Sequence, residues 1–407
     1  MAIIRPFRAL RPTPENVDRI ASVPYDVVNV DEARALAAGN PLSFLHVSRA
    51  EIDLPPSTDP YADVVYQTAV ENFARLRKTA PLIVEGKPAV YFYRLRMGPH
   101  QQTGLAACYS LDEYERDLIK KHERTRRDKE DDRTRHITAL RAQTGPVFLT
   151  YRASAEVDRV ADKVTACPPL FDFDAADLVR HTVWPVTGAD LEALVQAFGK
   201  IPWLYIADGH HRAASAMRTR QKLASEAGTQ PDPPCDWMLA VAFPDNQVQI
   251  LPYNRTVKDL AGMTPEAFLL AVQAAFPVRD GGAAPARKGE VSMYLVGRWR
   301  TIQLEGRASG TDVASRLDVS LLQDQVLAPI LKIADPRTDK RVDFVGGIRG
   351  TAELEKLVNT GKAAVAFSMF PVGVGDLMSI ADAGEIMPPK STWFEPKLRD
   401  ALLIHTI

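Results

Sequence analysis

The pentapeptide DGHHR, residues 208–212, combines an acid, a glycine, two histidines and an arginine. The apolar run at 203–206 before it predicts a buried strand, and residues 210–228 after it predict a helix. A strand that turns into a helix at Gly209 gathers backbone N–H groups, the positive end of the helix dipole and the Arg212 guanidinium at one point. Gly209 also permits close approach to the backbone. This pattern is typical of a turn that holds a phosphate.

Two other interpretations of the same residues compete with a phosphate site. His210 and His211 are adjacent, so they lack the i,i+4 spacing that places two imidazoles on one helical face, and no HExxH or CxxC motif accompanies them. The spacing therefore disfavours a dedicated metal site, and no metal ligand is predicted. The structural alternative is that Asp208 is only a helix N-cap. Because adjacent histidines cannot point the same way on a helix, we expect one to face a ligand and the other to pack.

A second group of polar residues lies in PPKSTWFEPK, residues 388–397. Cations and hydroxyls in a proline-stiffened loop suit phosphate or carboxylate binding, and a structural loop packed through its aromatic residues is the alternative. The candidates for a nucleotide contact here are Lys390, Ser391, Thr392 and Lys397. Further candidates for an anion contact are Asn254, Arg255 and Arg133, although surface arginines usually contact only water.

A mixed set of helices and strands must position these residues. Residues 61–84 carry apolar side chains at helical spacing, whereas 89–97 and 103–111 predict a β-hairpin and SFLHV at 43–47 a strand. The densely charged stretch 112–143 lacks Pro and Gly and is predicted to be mostly helical, with i,i+4 ion pairs on a solvated face. The fold class is therefore α+β.

Three regions are expected, 1–111, 112–257 and 258–407 (the last an α/β region closing on the core), unless they form one continuous domain.

Composition and charge limit the classes of partner. The 407 residues are 46% apolar and 25% charged, as in ordinary globular proteins, and the formal net charge of −1 removes a global electrostatic argument for nucleic acid or membrane binding. The three cysteines are far apart, so neither a disulfide framework nor a cysteine zinc site is predicted. No apolar run is long enough for a membrane span or a signal peptide, so a cytoplasmic location is expected.

Several motifs together resemble known families. DGHHR between a strand and a helix resembles the signature of the ParB/sulfiredoxin superfamily, in which the equivalent turn binds nucleotide phosphates, and free serine kinases are similar at the same pentapeptide. Along the chain, RPFRALRP, PYDVV, KHERT, IADGHHR and MPPKSTWFEPK resemble a widespread bacterial family known only as a domain of unknown function. The resemblance implies a ParB/sulfiredoxin-like nucleotide-binding core at 112–257 with N-terminal and C-terminal α+β additions.

The resemblance also implies a base. In free serine kinases a His-Glu pair upstream of DGHHR supplies a glutamate that accepts a proton from the substrate hydroxyl, and the matching pair here is His122-Glu123. In compact superfamily members this pair lies closer in sequence to DGHHR, so the match rests on the dipeptide and on an intervening insertion. Glu51 and Asp26 are therefore reserve candidates for the base.

The activity implied is a nucleotide-dependent phosphotransferase that phosphorylates a small hydroxylated metabolite, with free L-serine as the leading acceptor. ATP or ADP would be the donor, accompanied by Mg²⁺. The implied catalytic residues are Glu123, Asp208, His210 and His211, and the implied nucleotide contacts are His122, Gly209, Arg212 and the four residues of the 388–397 loop. The alternative is a ParB-like nucleotide-binding regulatory or DNA-associated protein without kinase activity, against which the near-neutral charge and the lack of a helix-turn-helix signal argue. A sulfiredoxin-like repair enzyme fits less well, because that reaction wants a cysteine where His210 stands.

Overall fold

The computed structural model describes residues 2–227, 231–304 and 312–407, which form two compact units. The first unit comprises Met1–Val248 with Pro396–Ile407, and the second comprises Gln249–Glu395. The sequence had predicted three regions with a boundary between 111 and 112. The structure differs, because strands on both sides of that boundary pair in one sheet.

The strands of the first part of the chain are β1 (Ile4–Arg5), β2 (Leu10–Arg11), β3 (Ile83–Val84), β4 (Val90–Met97), β5 (His100–Ser110), β6 (Ile119–Lys120), β7 (Ala142–Gln143), β8 (Val147–Tyr151), β9 (Phe171–Asp174), β10 (Val179–Val186), β11 (Leu204–Asp208) and β12 (Trp237–Pro244). They are followed by β13 (Ile250–Leu251), β14 (Tyr253–Val257), β15 (Val278–Asp280), β16 (Glu290–Leu295), β17 (Arg298–Gln303), β18 (Val342–Gly346), β19 (Val365–Met369), β20 (Trp393–Phe394) and β21 (His405–Thr406). The helices are α1 (Val17–Ile20), α2 (Val30–Ala37), α3 (Leu45–Ser48), α4 (Asp63–Thr79), α5 (Leu111–Glu115), α6 (Arg127–Leu140), α7 (Ala155–Thr165), α8 (Gly188–Phe198), α9 (His210–Ala227), α10 (Pro265–Ala275), α11 (Asp318–Leu322), α12 (Gly350–Asn359) and α13 (Val374–Asp382). The chain is thus a mixed α+β protein.

A large mixed sheet organises the first unit, in the order β6-β11-β8-β12-β5-β4-β10-β9, with β1 also paired to β5. Strand β11 runs parallel to β6 and antiparallel to β8, and β12 runs parallel to β8. The predicted hairpin is confirmed as β4 and β5, which pair from Tyr91 opposite Ala106 to Met97 opposite His100. The strand that carries Asp208 is therefore held between two neighbours in the sheet.

Helix α9 packs on this sheet through small residues. Ala213, Ala216 and Met217 are buried in the same apolar cluster as Leu149 and Ile206 of the sheet. Their spacing of three and four residues places them on one helical face, and burying a large aliphatic side chain such as Ile206 contributes about 1.5–3 kcal/mol. This contact fixes where the helix begins relative to the end of β11.

The charged stretch 112–143 is not one helix. It forms α5, the short strand β6, a loop and then α6. Ile119 and Lys120 pair in parallel with Leu204 and Tyr205, and this pairing overrides the local helix propensity. Similarly, SFLHV does not form the predicted strand, because Leu45–Ser48 is the helix α3. The difference at 121–126 matters, because it places Glu123 in a loop.

The second unit contains an antiparallel sheet in the order β15-β17-β16-β19-β14-β18. Tyr294, Val345 and Ala366 of this sheet pack with Leu354 of α12 in a small apolar cluster. Helix α10 begins at Pro265, after an N-cap, Thr264, whose side chain accepts a hydrogen bond from the Ala267 N–H. In the part of the chain that the structure describes, no helix has an apolar stretch long enough to cross a bilayer.

Candidate functional site

The turn from β11 into α9 is built from an irregular strand end and a glycine. The register of β11 against β8 shifts between Ile206 and Asp208, so a bulge re-aims the last residue of the strand. Gly209 follows with φ +96°, a conformation that L side chains rarely adopt, and His210 begins the helix. The first N–H groups of a helix have no partner within the helix, so this turn presents donors for an anion.

Arg212 packs tightly under the turn. A Cβ added to Gly209 would lie 3.0 Å from the Arg212 Nε and 3.1 Å from its Cζ. The guanidinium is buried, donates from Nη1 to the Pro146 carbonyl and lies with Nη2 3.9 Å from both Asp26 and Asp208. Arg212 is thus buried against the turn, and its role as a phosphate ligand stays a prediction.

Both histidines of the turn hold the loop at 121–126. The Nε2 of His210 accepts a hydrogen bond from the His122 N–H at 3.4 Å, and the Nε2 of His211 accepts one from the Arg126 N–H at 3.0 Å. The rings of His122 and His210 meet edge to face with centroids 4.4 Å apart. Both histidines therefore contact the same loop. Which of the two also faces a ligand stays a prediction.

These contacts bring Glu123 to the turn. In sequence, Glu123 lies between the two anchored N–H groups, and one of its carboxylate oxygens lies within 4.8 Å of a ring nitrogen of His122 and of His210. The insertion between residues 123 and 208 does not separate them in space. The His-Glu pair and the DGHHR turn are one cluster.

The two clustered imidazoles are neutral. Burial lowers the pKa of His122 to about 4, against the opposing effects of the Ile206 backbone and the Asp208 carboxylate. Burial, together with the proximity of His122, holds the pKa of His210 well below its usual range. At neutral pH the His210 Nε2 is therefore available as an acceptor, in agreement with its hydrogen bond from the loop.

Asp208 pairs with a residue from the end of the chain. Burial acts to raise the pKa of Asp208, but Lys397 and Arg212 outweigh that effect and hold the pKa well below its usual range. The Lys397 Nζ donates to an Asp208 carboxylate oxygen at 2.9 Å. Lys397, predicted from its loop, is thus part of the site.

The structure adds a third acid near Arg212 that the sequence did not reveal. Burial raises the pKa of Asp400 to about 7; Arg212 opposes this shift and Asp26 reinforces it. A Cβ at Gly145 would lie 2.3 Å from an Asp400 carboxylate oxygen, so the glycine allows the close approach. No motif surrounds Asp400, and only its position in space identifies it. Asp26, the reserve base, lies in this same cluster.

The remaining candidates have structural partners of their own. Lys390, Ser391 and Thr392 belong to the second unit, where the Lys390 carbonyl accepts a hydrogen bond from the Arg255 Nη2 at 3.1 Å. The Ser391 hydroxyl donates to the Pro388 carbonyl at 2.6 Å, so this loop has internal structural contacts. Asn254 of the second unit accepts a hydrogen bond from the Met369 N–H through its side chain. In the first unit, Arg133 pairs with Asp132 and Glu51 pairs with Arg49.

Fold and site together define a two-unit α+β protein with a charged strand-to-helix turn near one edge of its main sheet. The chain belongs to the family described as protein of unknown function (DUF1015), whose model matches residues 4–320. No curated protein matches it.

Three solved structures that are similar to this chain are described by their sequence identity, coverage and TM-score. A conserved hypothetical protein from Pyrococcus furiosus is 16% identical with a TM-score of 0.34, and the match covers 73% of this chain and 94% of that one. A free serine kinase in complex with AMP is 14% identical with a TM-score of 0.36, covering 73% and 91%. A C-terminally truncated SbnI from Staphylococcus aureus is 11% identical with a TM-score of 0.38, covering 73% and 85%. At these identities and TM-scores, the similarity establishes neither the fold nor the activity of this chain.

Proposed function

We propose that this protein is a nucleotide-dependent phosphotransferase that phosphorylates the hydroxyl of a small metabolite, with free L-serine as the leading acceptor and ATP or ADP as the donor. One observation carries the proposal: His210 and His211, the first residues of α9, accept hydrogen bonds from the loop that contains Glu123. A carboxylate and a helix N-terminus are thereby held in one place. Phosphoryl transfer needs this combination, because it depends on placing donor and acceptor and on offsetting charge.

The phosphate group would be held by backbone N–H groups at the start of α9, aided by Lys397. The helix dipole favours an anion there, and the Lys397 ammonium, which pairs with Asp208, lies beside the turn. Arg212 supports the turn from below. Since the Asp208 carboxylate is already paired with Lys397, it orients the turn and does not fit as a ligand of Mg²⁺. Any Mg²⁺ would be coordinated mainly by the phosphates of the nucleotide.

The acceptor hydroxyl would lose its proton to Glu123. A general base must lie within hydrogen-bond reach of the hydroxyl, and the loop position of Glu123 beside the turn meets this condition for an acceptor bound there. Asp26 is the weaker candidate, because it lies 3.9 Å from Arg212 and is partly neutralised by it.

A cavity of about 150 Å³ in the first unit offers partners for an amino acid. It is lined by two acid-base pairs, Arg49 with Glu51 and Arg133 with Asp132, whose closest atoms are each 2.8 Å apart. Arginines suit a carboxylate and the acids suit an ammonium group. Tyr25 also lines the cavity, and its neighbour Asp26 lies beside Arg212. The reserve base Glu51 is thus better placed to bind an acceptor than to deprotonate it.

The direct experiment incubates the protein and Mg²⁺ with L-serine and either ATP or ADP, and measures O-phosphoserine by mass spectrometry. A panel of other small hydroxylated metabolites runs in parallel. Product from any of them, dependent on nucleotide, supports the phosphotransferase, and L-serine identifies the acceptor. Absence of phosphorylated product across the panel with both nucleotides contradicts the proposal.

The variant Glu123→Gln tests the base. We expect turnover to fall by about 10²–10⁴, the usual contribution of general-base catalysis, while nucleotide affinity measured by calorimetry stays near that of the wild type. Glu192→Gln, an exposed glutamate on α8, is the matched control and should keep full activity. Wild-type turnover in Glu123→Gln would remove Glu123 from the mechanism.

A further inference from the structure

We propose that His122, Glu123 and His210 bind a divalent ion of the zinc class, in a site separate from any Mg²⁺ that accompanies a nucleotide. One ligand atom from each residue can be chosen so that all three lie within 4.8 Å of one another. Ligands of a tetrahedral zinc ion lie roughly 3.3 Å apart, given zinc-ligand distances of about 2.0–2.2 Å. The three groups therefore need only a modest closure around an ion.

The state of His122 points to a ligand. Its side chain is 2% exposed, and within the described ranges neither ring nitrogen makes a hydrogen bond, although the Ile206 backbone lies close enough to act on the His122 pKa. An unpartnered buried polar atom costs about 1–3 kcal/mol, so such groups usually have a partner. A metal ion bound to one of these nitrogens would satisfy it.

The donor set selects the kind of ion. Two neutral imidazoles and one carboxylate suit zinc and its neighbours among the transition metals, whereas Mg²⁺ prefers oxygen ligands alone. Three protein ligands leave a fourth position of a tetrahedral ion open for water or a phosphate oxygen.

The adjacent pair His210 and His211 disfavours zinc only when it is taken alone. Their spacing does rule out two ligands from one helical face. The second imidazole comes instead from the loop before α6, which the fold brings against the start of α9. A spacing rule within one helix cannot detect a site shared between two segments.

Bound metal would regulate the proposed reaction, and this consequence rests on the proposed function. A carboxylate that coordinates zinc is not available to accept a proton from a substrate hydroxyl. Zinc occupancy and phosphoryl transfer are thus alternative states of Glu123. Micromolar Zn²⁺ should inhibit the wild-type enzyme, and a chelator should restore its activity.

Direct binding measurements test the site without reference to activity. The full chain, stripped with chelator, is titrated with Zn²⁺ against a chromophoric competitor, and Co²⁺ is added to a second sample to record its visible absorption. We expect one ion per chain and a Co²⁺ spectrum of low coordination number. Glu123→Gln should weaken Zn²⁺ binding at least about tenfold, since even changes outside the ligand sphere typically cost 10–100-fold.

Two control variants separate this site from adventitious binding. Cys167 is an exposed thiol, and His46 forms a 2.8 Å pair with Asp53 in another part of the unit. Cys167→Ser and His46→Asn should bind Zn²⁺ as the wild type does, and His210→Asn, checked by thermal melting, should lose binding. Stoichiometric binding that survives Glu123→Gln unchanged, or that disappears in either control, would overturn the site, as would a wild type that binds no Zn²⁺.

The outcomes also distinguish the metal site from the phosphotransferase. Zinc binding that depends on Glu123, in a protein that phosphorylates nothing, supports the metal site and contradicts the proposed function. Phosphorylation by a protein that binds no Zn²⁺ supports the proposed function and overturns the metal site.

Discussion

Arg212 is the residue around which the charges of the site are arranged. Burial alone would lower its pKa, but Asp26, Asp208 and Asp400 outweigh burial and raise the pKa above its ordinary value. One buried cation thus serves several carboxylates, and Lys397 adds a second positive charge at Asp208. Burial raises the pKa of Asp400 to about 7, and the charge of Arg212 offsets this rise only in part.

Because the pKa of Asp400 is raised, this residue should make the folding stability depend on pH, and Asp400→Asn should remove that contribution. The folded pKa of about 7 lies above the unfolded value of about 3.9, so between those pH values the folded chain holds a proton that the unfolded chain has lost. Asp400 therefore makes stability fall as pH rises from about 4 to 7. We expect the stability of Asp400→Asn relative to wild type to increase over that range by an amount on the order of a few kcal/mol.

Urea unfolding of both proteins between pH 4.5 and 8 measures this difference. Buried histidines, among them His122, His136 and His405, have lowered pKa values and act in the opposite direction, but they are present in both proteins and cancel in the comparison. Stability curves that stay parallel across the range would show that Asp400 ionises normally.

At the scale of elements, the site lies where β11, α9 and the loop that follows β6 meet. The bulge before Asp208 and the positive φ of Gly209 let the chain leave the sheet and begin a helix within two residues. Parallel pairing of β6 with β11 then brings the loop at 121–126 to the same end of the sheet. The turn and the loop are therefore positioned by the same strand.

The variant Gly209→Ala should disrupt the turn between β11 and α9. An alanine at φ +96° costs about 1–2 kcal/mol in the backbone, and its Cβ would lie 3.0–3.1 Å from the buried Arg212 guanidinium. Gly39→Ala is the control, because Gly39 has φ +73° and open space around the added atom. Urea unfolding should show a larger loss for Gly209→Ala, and only that variant should also weaken nucleotide binding. Equal losses and unchanged binding in both would argue against a tight turn.

At the scale of the whole molecule, the second unit is an insertion into the first. The chain enters the second unit at Gln249 and leaves it at Glu395, where the Glu395 N–H donates to the Gln249 carbonyl at 3.3 Å. The two crossing points therefore lie side by side. The returning segment carries Lys397 and Asp400 back to the site, so the first unit is complete only when the end of the chain has folded.

Replacing residues 249–395 by a short Gly-Ser linker should leave a folded first unit. Its ends are adjacent, and loop closure by a short flexible linker costs little more than other turns of that length. We expect a cooperative thermal transition and retained Zn²⁺ binding. A matched truncation after Val248, which removes residues 396–407 as well, should be markedly less stable because it loses Lys397, Asp400 and strand β21. A linker variant as unstable as the truncation would contradict the independence of the first unit.

The local features of this site could be predicted from the sequence. The apolar run before Asp208, the glycine and the helical spacing after it are short-range signals, and the strand, turn and helix formed as those signals indicated. The hairpin of β4 and β5 was predictable for the same reason, since its partners are neighbours in the chain. The His-Glu pair was identified by resemblance, it lies beside the DGHHR turn, and its role as a base stays a prediction.

Contacts between distant residues were decided by the tertiary structure alone. Lys397 and Asp208 are 189 residues apart, and Asp400 has no motif that marks it. Residues 121–126 form a loop because β6 pairs with a strand more than 80 residues further on, against the helix propensity of a charged segment. Sequence patterns record interactions within a few residues. Charge sharing around Arg212, and the gathering of His122, Glu123 and His210, depend on which segments the sheet brings together.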